Sequence, residues 1–475
     1  MFEVFAARDR LPRAGIGSAN EQHIGILGVN DHQNGLRNFV GLDFHHLCIL
    51  HDVVAEREAD RRQFQNAYDH PMQSSQSSLP HASTDGAPLP HVSTLIWQEN
   101  GHHCEDEWRS ERGAPAPKRV VLADDTLSAD SAYRLACAGT GMLWRGDFQN
   151  ARLLLQALAR RCDAPKKVRR TSKNNPEITH TPQENFHLHR QAQSQRARTL
   201  SMILIQVNPD RQISLRRAPD WREAMKEAWG PAGTTGCVTS LRELLGLVGA
   251  HEWHQKGMEI SALGSAPHNR IHPSYGVFSP VRGEYIQLVA DAPLPSTELA
   301  FDIGTGTGVL SAVLAKRGVK RVVGTDLDPR ALSCAKDNIQ RLGLKDKVEL
   351  MQADLFPDGK APLIVCNPPW LPARASAPIE RAIYDENSAM LKGFLAGLAA
   401  HLAPKGEGWL ILSDLAEHLG LRTRAELEEW IAAGGLKVIG KLDAKAEHKK
   451  VQDESDPLHA ARAAEVTSLW RLAAK

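Results

Sequence analysis

Three groups of residues in this chain have types and spacings suited to joint chemistry. The first lies in the run LIVCNPPWLP, residues 363–372, where four apolar residues lead into Asn367, Pro368, Pro369 and Trp370. An amide or aromatic amino nitrogen has a delocalised lone pair and is a poor nucleophile. A side-chain oxygen at Asn367 and the backbone carbonyl of Pro368 can accept both of its N–H hydrogens, which orients the nitrogen and favours its pyramidal form. Paired prolines stiffen the backbone that carries these acceptors. Trp370 offers a flat face on which a planar group can stack. Such a site works by placement, and orientation alone can account for about 7–11 kcal/mol of a barrier.

The second group is AFDIGTGTGVL, residues 300–310. It reads as a buried strand, a tight turn through Gly304, Thr305, Gly306 and Gly308, and a helix start. The glycines let the backbone turn sharply and keep side chains away from a ligand that must approach the amides, as a nucleotide-like cofactor does. Position 309 is Val, so the dinucleotide fingerprint fails at its third glycine. Asp302 stands where the strand ends, able to take a cationic or hydrogen-bond-donating ligand. The third group is carboxylate. Asp326 in VVGTDLDP follows the turn by about twenty residues, where it can accept both hydroxyl hydrogens of a ribose. Asp328 is read as the cap of the next helix. Asp354 in QADLF stands where an adenine amino group can be accepted.

These groups need a frame that brings strand ends together. Strand-like runs at 298–303, 321–326, 348–353, 362–366, 407–413, 437–442 and 465–472 alternate with helical ones near 308–317, 329–342, 384–402 and 422–434. In the second of these helices Leu332, Ala335, Ile339 and Leu342 share one face. The alternation predicts an α/β fold, a sheet with helices on both faces and ligands at the carboxyl ends of its strands.

DIGTGTG, GTDLDP, QADLF and NPPW, in this order and at these intervals, resemble the class I AdoMet-dependent methyltransferases that modify planar nitrogens. That group includes the glutamine-amide methyltransferases of release factors and of a ribosomal protein, and the enzymes that methylate amino groups of adenine or guanine. The resemblance covers about residues 270–475. It implies a Rossmann-like, mostly parallel sheet whose last strand, here 465–473, is antiparallel. It implies AdoMet as cofactor, held by Asp302, Gly304, Thr305, Gly306, Gly308, Asp326 and Asp354, with the acceptor at Asn367, Pro368, Pro369 and Trp370. The glutamine-amide enzymes carry a P-R-P-x-T-E type segment before the glycine turn, whereas this chain has Pro280-Val281-Arg282-Gly283-Glu284, with the same residue types at a different spacing.

Composition narrows the partners. Lys plus Arg (57) nearly equals Asp plus Glu (56), so the whole-chain charge names no polyanion. The seven cysteines form no C-x-x-C pair, which speaks against a zinc ribbon or a disulfide-stapled secreted domain and for a reducing cytoplasm. No run of eighteen apolar residues predicts a membrane span. Residues 1–118 are rich in His, Asn and Gln and are expected to be a poorly ordered extension and linker, with Met72 as a possible true start. His45, His46 and His51 lack an acidic or cysteine partner at ligand spacing, so no metal site is expected.

Residues 119–270 are expected to form an α+β accessory domain that recognises substrate, with the methyltransferase domain at 271–475. Within the accessory domain, 130–159 reads as two helices and 201–219 as a hairpin across Asn-Pro-Asp-Arg. The stretch 160–200 has ten Lys/Arg against three Asp/Glu and reads as a basic loop, either a solvated insertion or a contact for RNA phosphates. His251 and His254 have the wrong spacing for a zinc peptidase and are read as ordinary histidines. Tyr275 and Phe278 are either pocket residues or hydrophobic anchors. The expected function is AdoMet-dependent N-methyl transfer to a protein glutamine amide or a nucleic-acid base amino group, a small-molecule amine being a third acceptor. The rival from another class is a non-catalytic AdoMet- or RNA-binding module. The NPPW run speaks against it, since a mere binder needs no clamp on nitrogen.

Overall fold

The computed structural model describes residues 93–164, 180–375, 378–446 and 452–475, all within one compact unit, Leu47–Lys475. Two sheets dominate it. The first has strands β1 (Ser93–Glu99), β2 (His102–Trp108), β3 (Arg119–Ala123), β4 (Thr140–Trp144), β5 (Ile203–Val207) and β6 (Cys237–Ser240), in the order β1-β2-β6-β5-β4-β3. Helices α1 (Ala129–Cys137), α2 (Phe148–Asp163), α3 (Pro182–Leu200), α4 (Arg222–Trp229) and α5 (Leu241–Lys256) accompany it. Phe148, Leu154 and Leu158 of α2, Met225 of α4 and Leu244 of α5 bury one face of this sheet. On the other face Leu95, Trp97, Trp108, Leu143, Leu204 and Val238 form a second cluster as β1 comes round to β3.

Several sequence expectations change here. Residues 93–108 belong to the sheet and not to a linker, because Leu95, Trp97 and Trp108 alternate inward. Thr140–Trp144, inside the stretch read from sequence as two helices, is a wholly buried strand between β3 and β5. Only one arm of the expected hairpin is a strand: β5 pairs in parallel with β4 and antiparallel with β6, so residues after Val207 have no ladder to join. Part of the basic stretch is helix α3, opened by a capping box between Thr181 and Glu184; residues 165–179 lie outside the described part, as do His45, His46 and His51.

A two-stranded ribbon, β7 (Met258–Glu259) with β8 (Arg270–Ile271), and helix α6 (Gly283–Asp291) lead to the second sheet. Its strands are β9 (Leu299–Ile303), β10 (Arg321–Asp326), β11 (Val348–Gln352), β12 (Ala361–Cys366), β13 (Leu402–Ser413), β14 (Leu436–Lys445) and β15 (Val466–Ala474). The order is β11-β10-β9-β12-β13-β15-β14. Only β15 runs against its neighbours. The helices are α7 (Val309–Lys316), α8 (Pro329–Arg341), α9 (Ala389–His401), α10 (Leu415–His418), α11 (Arg424–Ala433) and α12 (His459–Ala464).

Strand alternation divides this core. Ala300, Leu363, Val365, Trp409 and Ile411 face α6 and α7, whereas Phe301, Ile364, Cys366, Leu410 and Leu412 face α9 and α11. Each fully buried Leu, Ile, Val or Phe among these contributes about 1.5–3 kcal/mol. The strands therefore read as near-continuous apolar runs, as a parallel sheet covered on both sides requires. Chain order reverses between β9 and β12, which leaves a crevice at their carboxyl ends. This is the Rossmann-like α/β sheet with an antiparallel last strand that the sequence implied.

Candidate active site

The two chemical segments leave adjacent strands side by side. Cys366 of β12 pairs in register with Ile303 of β9, so Asn367 and Gly304 emerge on neighbouring strands about 4.8 Å apart. The glycine turn itself has little freedom. Gly304 has φ +72°, and a Cβ there would lie 2.8 Å from Met390 Cε at the start of α9. Gly308 has φ +80°, and its Cβ would meet Ala335 of α8 at 3.1 Å. Side chains at these positions would collide with the flanking helices and strain the backbone.

Asp302 acts from beneath the turn. It is buried, and its Oδ2 accepts from Thr305 Oγ1 (2.7 Å), Ser311 N (2.9 Å) and Ser311 Oγ (2.6 Å). Burial pushes its carboxyl above the ordinary carboxylate value, against the pull of the Ser311 and Thr305 donors. Asp302 thus braces the turn from inside the wall, a more interior place than a direct cofactor contact needs. Thr305 is likewise buried, its hydroxyl committed to Asp302. Asp326 ends β10 half-buried; its Oδ2 accepts from Gly306 N (3.0 Å) and its Oδ1 from Asp328 N (3.0 Å). Burial raises this carboxyl too, opposed by the backbone donors of Asp328 and Gly306. One amide of the turn is therefore spent on Asp326, which fixes the carboxylate beside the glycines. Asp328 caps α8 through Arg330 N at 2.9 Å, as read from sequence. Asp354, two residues past β11, is exposed.

Asn367 and Trp370 are tied to each other. Trp370 Nε1 donates to Asn367 Oδ1 at 2.8 Å. The Arg282 guanidinium lies 5.0 Å over the Trp370 ring, on a face that a flat acceptor would need for the expected stacking. Arg282 in turn forms a fork to Glu465, at 2.6 and 3.2 Å. Glu465 is buried and accepts from Ser413 Oγ at 2.6 Å. Arg282 and Glu465 were not picked out as site residues from sequence. The only signals were an arginine in the run before α6 and an acid just ahead of the last strand.

The segment after Trp370 is gripped by the first sheet's helices. Arg190 of α3 is buried, with its guanidinium 4.2 Å over the Tyr384 ring and its Nη2 donating to the Arg374 carbonyl at 2.9 Å. Arg112 stands 3.9 Å from the fully buried Glu380. Arg196 is bonded to Asp163 and Arg161 to Asp130, so these basic residues are committed inside the protein. Tyr275 packs against the core of the first sheet and Val277 against Ala331 and Cys334 of α8, which makes the 272–282 segment an anchor over α8. His254 Nδ1 meets the Pro273 carbonyl and His251 meets Glu227. Among the described residues no cluster of His, Cys, Asp or Glu could hold a metal, and no helix is long and apolar enough to cross a membrane.

Comparison with known proteins bears on this site. Residues 287–369 match the family model described as ribosomal protein L11 methyltransferase (PrmA). The chain is similar to the ribosomal protein L11 methyltransferase of Salmonella arizonae, 33% identical over 137 residues, which is 29% of this chain and 44% of the relative. It is similar to that of Vibrio parahaemolyticus, 32% identical over 144 residues, 30% and 46% of the two chains. The chain thus spans less than half the length of these relatives. Among solved structures it resembles ribosomal protein L11 methylase from Lactobacillus delbrueckii subsp. bulgaricus, 18% identical, covering 44% of this chain and 89% of that one with a TM-score of 0.31. The matched residues contain the glycine turn, Asp326, Asp354 and Asn367 to Pro369. The match thus falls on the second sheet, over the strands and turns at its order reversal, and is a likeness to methyltransferases there.

Proposed function

We propose that the protein is an AdoMet-dependent N-methyltransferase acting on a planar nitrogen of a macromolecule, with a protein side-chain amide as acceptor. The observation that carries this reading is the register of Cys366 with Ile303, which sets a nitrogen-orienting Asn-Pro-Pro turn beside a nucleotide-type glycine turn. The residues present fit AdoMet. Gly306, at φ +56°, faces open space, and Asp326 is held at the glycines by Gly306 N, where it accepts ribose hydroxyls. Asp354 is exposed at the neighbouring strand end for an adenine amino group. AdoMet supplies, when bound, a methyl group on a positively charged sulfur.

The chain's own part is placement. Asn367 Oδ1 keeps a second lone pair beside the one given to Trp370, and with the Pro368 carbonyl it accepts the acceptor's N–H hydrogens. Pro368 and Pro369 hold that geometry before the acceptor arrives. The nitrogen's proton leaves afterwards to water, so no strong base is required. A protein acceptor is favoured over a base because the matched relatives are named for a ribosomal protein and because the described arginines of the basic stretch named above are paired internally. In Asn367→Ala, AdoMet affinity measured by calorimetry should stay within about twofold, whereas transfer of labelled methyl into a cell extract should fall by about 100-fold or more. Retained transfer would remove Asn367 from the mechanism. Label released by nuclease instead of protease would move the acceptor to nucleic acid.

A further inference from the structure

We infer that Trp370 is a positioning residue for Asn367 and not a platform for the acceptor, and that Arg282 and Glu465 form the clamp that holds it. The inference rests on the proposed methyl transfer for its functional meaning, but its geometry stands alone. An indole N–H can only donate. Its 2.8 Å bond to Asn367 therefore decides which end of the amide faces Trp370: the oxygen must, because the NH2 end would set two donors against each other. A terminal amide otherwise flips between two nearly isosteric states, only one of which offers Oδ1 at this place. Trp370 removes the second state.

The indole is itself held from three sides. Its ring packs against the cores on both faces of the sheet. The Arg282 guanidinium covers one ring face at 5.0 Å, and Arg282 is fixed by its fork to Glu465 and by Glu284 at 3.7 Å. Glu465 is anchored by Ser413 Oγ. A chain of contacts thus runs from the end of β13 through the start of β15 and the segment before α6 to the end of β12. It terminates on the one side-chain oxygen that the acceptor must meet.

The test uses the full-length protein and two readouts. In NMR spectra of isotope-labelled protein, the Trp370 indole N–H signal is identified by its loss in Trp370→Phe. In Asn367→Ala that signal should move upfield and exchange with deuterium about tenfold faster or more, as a donor that has lost its acceptor does, while the other indole signals hold. Arg282→Met should shift the same signal. With labelled AdoMet and a cell extract, Trp370→Phe keeps a ring under Arg282 but loses the donor, so methyl transfer should fall about tenfold or more with AdoMet affinity unchanged. An indole signal indifferent to Asn367→Ala, or Trp370→Phe transferring methyl at the wild-type rate, overturns the inference. A wild-type protein that binds no AdoMet or labels nothing defeats the proposed function instead, and the NMR readout still decides the role of Trp370.

Discussion

Asp302 and Asp147 are both aspartates at strand-to-helix corners, one in each sheet, and both are 1% exposed. Asp147 caps α2 through Gln149 N at 2.9 Å and is neutralised by Arg217 at 2.7 Å and Arg216 at 2.9 Å. Asp302 receives only neutral donors, from Thr305 and Ser311, and its nearest charged neighbour of note is another acid, Asp326. A buried carboxylate is ordinarily paired with a cation. Asp147 follows that rule. Asp302 departs from it, held by the neutral donors of the turn that it braces. The same residue type is therefore paired with cations in one sheet and braces a glycine turn through neutral donors in the other.

Truncating either aspartate separates the two roles. Asp302→Ala strands three donors inside the core and should lower stability by about 3–6 kcal/mol with loss of AdoMet binding, read by urea melts and calorimetry. Asp147→Ala removes a helix cap worth about 1 kcal/mol, and its two arginines, 72% and 60% exposed, can turn to water. AdoMet affinity should survive. Equal losses of affinity in the two variants would end the distinction.

Asp326 sharpens it next. An ionised carboxylate accepts without donating, whereas a protonated one presents a hydroxyl. Burial raises this carboxyl, so it protonates at a higher pH than an ordinary Asp near 3.9. AdoMet affinity should be full above the raised value and fall as pH drops through it. Asp326→Asn should flatten that dependence and cost about 1.5–3 kcal/mol of binding for each charge-assisted bond lost, measured by titration across acid pH.

Arg190 tests whether the first sheet serves the second. Arg190→Ala removes the cover over Tyr384 and the bond to the Arg374 carbonyl, a loss of about 1–2 kcal/mol in local order. Methyl transfer should drop several-fold with AdoMet affinity intact. An equal drop in AdoMet affinity would mean that Arg190 supports the whole domain and not the acceptor side.

Legibility differed between the two regions for a physical reason. In the second sheet every strand is flanked by a helix of matching period, so the strands expected at 321–326 and 362–366 fall within one residue of β10 and β12. The glycine turn, Asp326 and Asn367 were visible because each is local in sequence and ends a strand. The first sheet mixes parallel and antiparallel pairs, and its short runs fit either element. TGMLW is five buried residues, which period alone cannot assign to strand or helix. QISLRRA has strand composition but no partner strand. The Arg282–Glu465 clamp joins residues 183 apart, a separation at which no local pattern signals contact.

The smallest effect concerns the rim of the first sheet. The Arg145 side chain bonds Glu99 and holds its carboxyl down to about 2. That stabilisation is present above the unfolded value near 4.3 and is lost as pH falls toward 2. With both partners about a quarter exposed, Glu99→Gln should cost under about 1 kcal/mol at neutral pH. The difference between variant and wild type should vanish in acid unfolding, with AdoMet binding unaffected throughout.

The antiparallel β15 joins the closing of the sheet to the building of the clamp. It lies between β13 and β14 although it follows both in sequence, so β14 has no edge to pair with until β15 has been inserted. Glu465, at the head of that strand, arrives in the same event. Completion of the sheet and anchoring of Arg282 thus depend on the same strand, so a change that displaces β15 loosens both together.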